Sequence, residues 1–275
     1  MIDTHAHIDG EEYRDDRLEV IHRAQEAGVT KILVPAIDLN TSCQILALCC
    51  QHEHYLYPMV GLHPEEVRAD WQEQLAEIKK LLMAHEEEDT PSKPLLHASS
   101  EKTSPAVVAI GEVGLDYYWS REFEKEQLAA FEEQVKWSVE TGLPLMIHCR
   151  KAQNEMVALL KHYKDELPGG VFHCFTGNAH EAEELLQFPQ FVLGIGGVLT
   201  FKKSHLPEVL PQVVPLGRIV LETDAPYMAP VPMRGKRNES AYVSYVLQRL
   251  AEAYGVSEAE IERVTDENVA RIFKI

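Results

Sequence analysis

Eight short apolar runs alternate with helical patterns along this 275-residue chain, and the alternation limits the choice of fold more than any other feature. Between the runs, apolar residues recur at three- and four-residue spacing, as at Leu75, Ile78 and Leu82. Eight strand–helix units in a chain of this size predict a parallel (β/α)8 TIM barrel, an α/β fold. The predicted strands cover residues 1–8, 31–37, 55–61, 107–112, 143–148, 170–173, 191–194 and 219–223.

An open doubly wound sheet is the alternative arrangement of the same units. That fold usually carries a glycine-rich phosphate loop after its first strand, whereas here the first run ends in His5-Ala6-His7. The difference favours the barrel. With 45% hydrophobic residues, the chain is long enough for one large domain or two small ones. Region 85–105 has no clear period and contains Thr90-Pro91 and Lys93-Pro94, so we expect a long surface loop there.

The composition of the chain limits which cellular locations and which binding partners are expected. No apolar stretch approaches the length of a membrane span, and the amino terminus lacks the pattern of a signal peptide, so we expect a cytoplasmic protein. Five cysteines without a Cys-x-x-Cys pair indicate reduced thiols. A formal charge of −18 offers no evident basic track for duplex DNA. No obligate protein partner and no membrane contact are indicated.

Residues of the types that bind metal ions stand at the ends of five predicted strands. They are His5 and His7 on the first strand, Glu112 on the fourth, His148 on the fifth, His173 on the sixth and Asp224 on the eighth. In an extended strand His5 and His7 point the same way, with Cβ atoms roughly 7 Å apart, which two imidazoles can close onto one ion. Because barrel enzymes place their sites at the carboxyl ends of the strands, we expect these six side chains to converge. Four imidazoles and two carboxylates fit two bridged ions better than one tetrahedral ion.

Strand alternation also predicts directions for the neighbours of these residues. Cys149 and Cys174 each follow a histidine directly, so they should face the helices and should not reach the metal. Asp3 and Glu222 each lie two residues before a predicted ligand, so they should face the barrel interior, where a buried carboxylate needs a partner. Orienting a ligand imidazole and making a purely structural hydrogen bond are equal alternatives for both.

Six segments of the chain together resemble the successive signatures of one family. They are His5-Ala6-His7, Gly61-Leu62-His63-Pro64, Gly111-Glu112-Val113-Gly114-Leu115-Asp116-Tyr117, Ile147-His148-Cys149-Arg150, Phe172-His173-Cys174-Phe175-Thr176-Gly177 and Leu221-Glu222-Thr223-Asp224-Ala225-Pro226-Tyr227. The chain resembles the TatD family of metal-dependent deoxyribonucleases, which belong to the amidohydrolase-like barrels. The likeness spans nearly the whole chain, and it implies a single hydrolase domain over residues 1–275.

The resemblance implies a role for each predicted ligand. His5, His7 and Asp224 would hold a first divalent ion, His148 and His173 a second, and Glu112 would bridge the two. The family implies Mg²⁺, although imidazole-rich ligation also suits Zn²⁺ or Mn²⁺. Two ions would offset charge on a phosphodiester and lower the pKa of a bound water. Asp224, beside that water, is the predicted general base, and the bridging Glu112 is the second predicted catalytic residue.

Substrate contacts are predicted less directly. His63, Arg150, Lys202 and Arg237 follow strands and are candidates for phosphate contacts, with ordinary surface ion pairs as the alternative. Tyr117, Tyr118 and Trp119 are candidates for stacking on a base or sugar, with packing as the alternative. Three features depart from the family pattern: Glu65 stands where a histidine is common, Lys151 stands where an acidic residue is common, and region 85–105 is longer than the family needs.

We expect a metal-dependent phosphodiesterase that hydrolyses DNA, at its ends or in single strands, through weak and metal-mediated contacts. The main alternative is a barrel hydrolase of a small phosphate ester, amide or lactone. A catalytically inactive binding protein is a third interpretation, which the complete ligand set argues against. A nuclease should present an open groove with Arg150, Lys202 and Arg237 along it, and a small-molecule enzyme should present a closed pocket over the metals.

Overall fold

The computed structural model describes residues 1–88 and 105–275, and it contains an eight-stranded parallel sheet whose strands pair in sequence order. The strands are β1 (Ile2–Asp3), β2 (Lys31–Pro35), β3 (Leu56–Val60), β4 (Ala109–Asp116), β5 (Leu145–Arg150), β6 (Gly170–Phe172), β7 (Phe191–Ile195) and β8 (Ile219–Leu221). The ends of the sheet meet, because the Thr4 amide donates to the Leu221 carbonyl at 3.0 Å and the Asp224 amide donates to the His5 carbonyl at 2.9 Å. The predicted (β/α)8 barrel is confirmed.

Helices follow the strands and cover the outside of the barrel. In the described ranges they are α1 (Arg17–Glu26), α2 (Leu39–Gln51), α3 (Trp71–Glu88), α4 (Glu124–Thr141), α5 (Gln153–His162), α6 (Ala179–Leu185), α7 (Leu206–Val213), α8 (Val243–Tyr254) and α9 (Glu258–Phe273). None of these helices is long and apolar enough to cross a membrane. The cytoplasmic location stays a prediction.

Most boundaries differ from the sequence prediction by a few residues, and three differences affect the interpretation. β1 ends at Asp3, so both His5 and His7 lie beyond the strand. β4 continues past Glu112 to Asp116, because its second half pairs with β5 after a register shift between Ile110 and Val113. α3 extends to Glu88, so the start of the predicted 85–105 loop is helical. The remainder of that loop falls almost entirely outside the described residues.

Two apolar layers line the strands. The larger layer lies between the strands and the surrounding helices, where Ile32, Ile147 and Leu193 are buried. The smaller layer fills the interior of the barrel at the amino ends of the strands: Ile2, Leu33, Met59, Met146, Val171, Val192 and Val220 pack there against Val269, Ile272 and Phe273 of α9. α9 therefore closes this end of the barrel, and the polar side chains gather at the other end.

Candidate metal centre

Glu112 projects from β4 into the barrel, and its two carboxylate oxygens face different histidines. Oε2 lies 3.1 Å from His5 Nε2 and 3.5 Å from His7 Nε2. Oε1 lies 2.9 Å from His148 Nδ1 and 3.3 Å from His173 Nε2. Burial raises the pKa of the Glu112 carboxyl, but the surrounding imidazoles outweigh burial and hold the pKa well below its ordinary value. A single ionised carboxylate thus lies between two pairs of imidazoles.

The first pair converges with a second carboxylate. His5 Nε2 and His7 Nε2 are 3.3 Å apart, and Asp224 Oδ1 lies 4.0 Å from the first and 3.9 Å from the second. Nitrogen ligands about 2.0–2.1 Å from a tetrahedral ion are themselves about 3.3 Å apart, so the spacing of the two histidine nitrogens fits one shared ion, and Asp224 Oδ1 lies somewhat farther away. The two histidines converge although β1 has ended, because the His7 amide donates to the Ala225 carbonyl at 2.8 Å.

Carboxylates lie behind both members of the second pair, and the one behind His148 forms a hydrogen bond with it. His148 Nε2 lies 2.9 Å from Asp116 Oδ2, which leaves Nδ1 as the ring atom that faces Glu112. Burial lowers the pKa of His148, yet the hydrogen bonds to Asp116 and Glu112 outweigh it and raise the pKa to about 9. His173 Nδ1 lies 3.3 Å from Glu222 Oε1. A carboxylate behind a ligand imidazole fixes its orientation and raises its basicity, as is common at metal sites.

His63 lies beside the second pair, with a ring nitrogen within 4.8 Å of the donor atoms of Glu112 and His148, but the hydrogen bond at its other ring nitrogen distinguishes it from His173. Its Nε2 is 3.3 Å from Glu112 Oε1, and its Nδ1 accepts a hydrogen bond from the Glu65 amide at 3.1 Å. Burial lowers the pKa of His63, so the neutral ring is favoured. With Nδ1 accepting, the proton of the neutral ring sits on Nε2. His63 is therefore a hydrogen-bond donor pointed into the centre.

Asp3 and Glu222 take the two different roles that the sequence left open. Glu222 faces the barrel interior beside His173, where Gly194 leaves room for it: a Cβ on Gly194 would lie 2.1 Å from Glu222 Oε2. Asp3 instead pairs in register with Ile32 of the outer layer. Its carboxylate accepts from the Thr223 amide at 2.9 Å and the Thr223 hydroxyl at 2.7 Å. The interior direction predicted for Asp3 is wrong, because alternation stops where β1 ends.

The two cysteines that directly follow histidines, Cys149 and Cys174, lie in different surroundings. Cys149 lies within β5 and packs against the outer apolar layer, as alternation predicts. Cys174 lies beyond the end of β6 with a φ of 49°, and its sulfur is within 4.8 Å of the donor atoms of His173 and Asp224. The direction predicted for Cys174, toward the helices, is wrong, because the chain leaves the extended conformation before the cysteine. That Cys174 does not bind the metal stays a prediction.

A cavity of about 720 Å³ opens above these groups, and two of the four predicted phosphate contacts line it. His63 and Arg150 are in the lining, whereas Lys202 is exposed elsewhere on the surface. Arg237 forms a bidentate ion pair with Asp16 at 2.8 and 2.6 Å and lies outside the cavity. The structure thus does not place Arg150, Lys202 and Arg237 along one groove, because Arg237 joins the segment after β8 to the start of α1.

Acidic side chains dominate the mouth of this cavity. Asp9, Glu11, Glu12, Glu65 and Glu66 line it, and Arg150 is the lone lysine or arginine among the described lining residues.

Asp116 was not among the predicted site residues, although it stands four residues after Glu112, where alternation predicts the same face. Carrying the predicted strand on to residue 116 would have found it.

A (β/α)8 barrel whose carboxyl end gathers imidazoles and carboxylates within ligand distance of one another defines a class, the metal-dependent hydrolases of this fold. A model of the TatD-related DNase family matches residues 2–274. The chain belongs to this family, and it is a metal-dependent hydrolase.

Individual relatives resemble the chain over its full length. YabD, an uncharacterised metal-dependent hydrolase of Bacillus subtilis, is 37% identical over 275 residues, which cover 100% of this chain and 99% of that protein. The 3'-5' ssDNA/RNA exonuclease TatD of Pectobacterium carotovorum is 31% identical and matches over 100% of both proteins. The crystal structure of YjjV, a TatD homologue from Escherichia coli, has a TM-score of 0.83 at 30% identity, covering 100% of this chain and 98% of that one.

Proposed function

We propose that this protein is a two-ion phosphodiesterase that trims the ends of single-stranded DNA or RNA. The observation that carries the proposal is the position of Glu112, whose two oxygens face separate pairs of imidazoles. Relatives named as 3'-5' ssDNA/RNA exonucleases support the substrate class. The proposed first set of ligands is His5, His7, Glu112 and Asp224, and the second is Glu112, His148 and His173.

The donor set suits Mg²⁺, Mn²⁺ or Zn²⁺, and the family resemblance favours Mg²⁺. Two such ions, when bound, offset charge on the phosphoryl oxygens and lower the pKa of a bound water. Asp224 faces the cavity with 16% of its side chain exposed, and burial raises the pKa of its carboxyl to about 6. We assign Asp224 as the base that accepts the water proton. His63, with its proton on Nε2, can donate a hydrogen bond to a phosphoryl oxygen.

The acidic mouth supports action at chain ends. A nucleic-acid strand that ran through the cavity would carry its phosphates past carboxylates in the loops after β1 and β3, among them Glu11, Glu12 and Glu66. Like charges at close range repel, and few cations are present here to offset them. A strand that ends at the metal centre avoids this repulsion. The same charge pattern disfavours duplex DNA, which presents a second row of phosphates.

A hydrolase of a small phosphate ester is the second candidate. A cavity of about 720 Å³ is within the usual range for small-molecule sites. Arg150 alone, rather than a row of cations, is available for phosphate contacts among the described lining residues. A compact substrate with one phosphate needs no more than this.

One experiment separates these candidates. Metal-free protein is reconstituted with single ions and assayed against linear single strands, the same sequence closed into a circle, a duplex, and a panel of small phosphate esters. We expect ion-dependent release of nucleotides from linear single strands, slower cleavage of the duplex and none of the circle. Hydrolysis of the phosphate esters without any cleavage of linear strands would contradict the proposal, and cleavage of the circle would contradict action at ends.

A further inference from the structure

Two neighbouring aromatic side chains stand exposed beside the metal centre. Tyr118 is 50% exposed and Trp119 is 68% exposed, and their rings meet edge to face with centroids 4.9 Å apart. Tyr117, in contrast, is 7% exposed and packs in the outer apolar layer. Contiguous exposed apolar surface marks interaction sites, and ligand pockets are lined mainly by hydrophobic and aromatic side chains. Trp119 lines the cavity that contains Glu112.

Arg150 stacks on this pair from the end of β5. Its guanidinium carbon lies 3.6 Å from the centre of the Tyr118 ring and 5.2 Å from that of the Trp119 ring. Stacking uses the flat face of the guanidinium and leaves its N–H donors free at the edge. Within the described part of the chain, the Arg150 side chain forms no hydrogen bond or ion pair that would occupy these donors. Its donors are available to a ligand in the cavity.

Asp116 ties this group to the metal centre. Its Oδ1 accepts a hydrogen bond from the Tyr118 amide at 2.8 Å, and its Oδ2 lies 2.9 Å from His148 Nε2. Because one buried carboxylate bonds both the aromatic loop and a histidine that faces Glu112, the loop has a fixed position relative to the metal centre. A ligand bound to this loop is therefore held at a fixed distance and orientation from the metal centre.

We propose that Tyr118, Trp119 and Arg150 form a subsite for an unpaired nucleobase and its phosphate, the aromatic–arginine platform. The base of the nucleotide beside the scissile bond stacks on Trp119, and Arg150 donates to the adjacent phosphate. Every base has a π-face, so the platform accepts any sequence, and a paired base inside a duplex cannot reach it. The platform rests on the proposed function, and it gives the preference for single strands a physical cause.

The test compares two substrates that differ only in the base. A linear single strand and a matched strand that is abasic beside the scissile bond are cleaved by the metal-loaded enzyme. We expect wild-type kcat/KM to fall roughly 5- to 100-fold on the abasic strand, as expected when a base loses an aromatic stacking partner. Trp119→Ala should cleave the natural strand as slowly as the abasic one and leave the abasic rate unchanged. Trp119→Phe should retain most of the preference.

The control is Leu18→Ala, because Leu18 is 67% exposed in α1 and lies outside the cavity. It should keep the wild-type ratio. A Trp119→Ala enzyme that slows on both strands by the same factor would overturn the platform, and so would a wild-type enzyme that cleaves strands without any effect of the base. Failure of the wild-type enzyme to cleave any strand would overturn the proposed function together with the platform.

Binding gives a readout that does not depend on turnover. A strand with a non-cleavable terminal linkage should quench the fluorescence of the metal-loaded wild-type protein, and the abasic strand should quench it less. Trp119→Phe should lose this quenching while it retains affinity for the strand. Phenylalanine can stack on the base, but it lacks the indole fluorescence that the base quenches. Equal quenching in Trp119→Phe and wild type would place the base elsewhere and overturn the platform.

Discussion

The two ends of this barrel are built from opposite chemistry. At the carboxyl ends of the strands lie buried imidazoles and carboxylates, and within the described residues His5 Nδ1 and Glu222 Oε2 have no hydrogen-bond partner. At the amino ends lies an apolar layer that α9 closes with Ile272 and Phe273. Burying unpaired polar groups lowers stability, and burying apolar surface raises it. The apolar end therefore stabilises the fold, whereas the buried polar groups of the reactive site lower its stability.

Glu112→Ala tests the polar end and should have the largest effect. It removes the side chain that faces both pairs of imidazoles, so turnover should be lost and ion affinity should fall at both positions. The fall should exceed the roughly 100-fold loss that removal of an outer hydrogen-bond partner causes. The fold should remain, which thermal unfolding can check. Metal analysis decides the assignment: a variant that retains two ions per chain would show that Glu112 is not the bridge.

Asp224→Asn sharpens the comparison within the polar end. The amide keeps one oxygen ligand and the size of the side chain but removes the basic carboxylate. Turnover should fall by roughly 10²- to 10⁴-fold, and substrate binding should change much less. Turnover and metal content are measured in parallel across pH. Near-normal turnover at full ion occupancy would rule out Asp224 as the base, and the position would then be a ligand alone.

Phe273→Ala tests the apolar end. Phe273 is 4% exposed, and its truncation should lower the free energy of unfolding by about 3 kcal/mol. Turnover per folded molecule should not change, because the site lies at the other end of the barrel. Urea denaturation and kcat at a temperature where both proteins are folded give the measurements. Lys274→Gln, at the exposed neighbouring position, is the control. A fall in kcat of folded Phe273→Ala, alongside its loss of stability, would contradict the separation between the two ends.

The two cysteines give the smallest expected effect. Cys149→Ser should leave ion content and turnover unchanged, because the thiol packs in the outer layer. Cys174→Ser should lower the affinity for Zn²⁺ by less than about tenfold and leave Mg²⁺ binding unchanged, since a thiol is a soft donor. Competition between the two ions measures the difference. A larger effect in Cys149→Ser than in Cys174→Ser would contradict the side-chain directions seen in the structure.

Local signals were enough to predict most of the architecture. The eight strands and the helices between them follow from spacing patterns that act within a few positions. At the start of α9, the side-chain oxygen of Ser257 accepts from the Glu260 amide at 3.2 Å and so caps the helix. Strand ends were less predictable, because β4 continues beyond Glu112 only where β5 pairs with it.

The residue types of the metal centre were also evident in the sequence, since each stands near the end of an apolar run. Their directions depended on contacts between distant parts of the chain. The Asp224 amide binds the His5 carbonyl, the Cys174 amide donates to Glu222 Oε1 at 2.6 Å, and Arg237 pairs with Asp16. Alternation is a property of extended backbone, so it predicts Cys149 within β5 and Glu222 directly after β8. It fails between Asp3 and His5, where β1 has ended, and at Cys174, where φ is 49°.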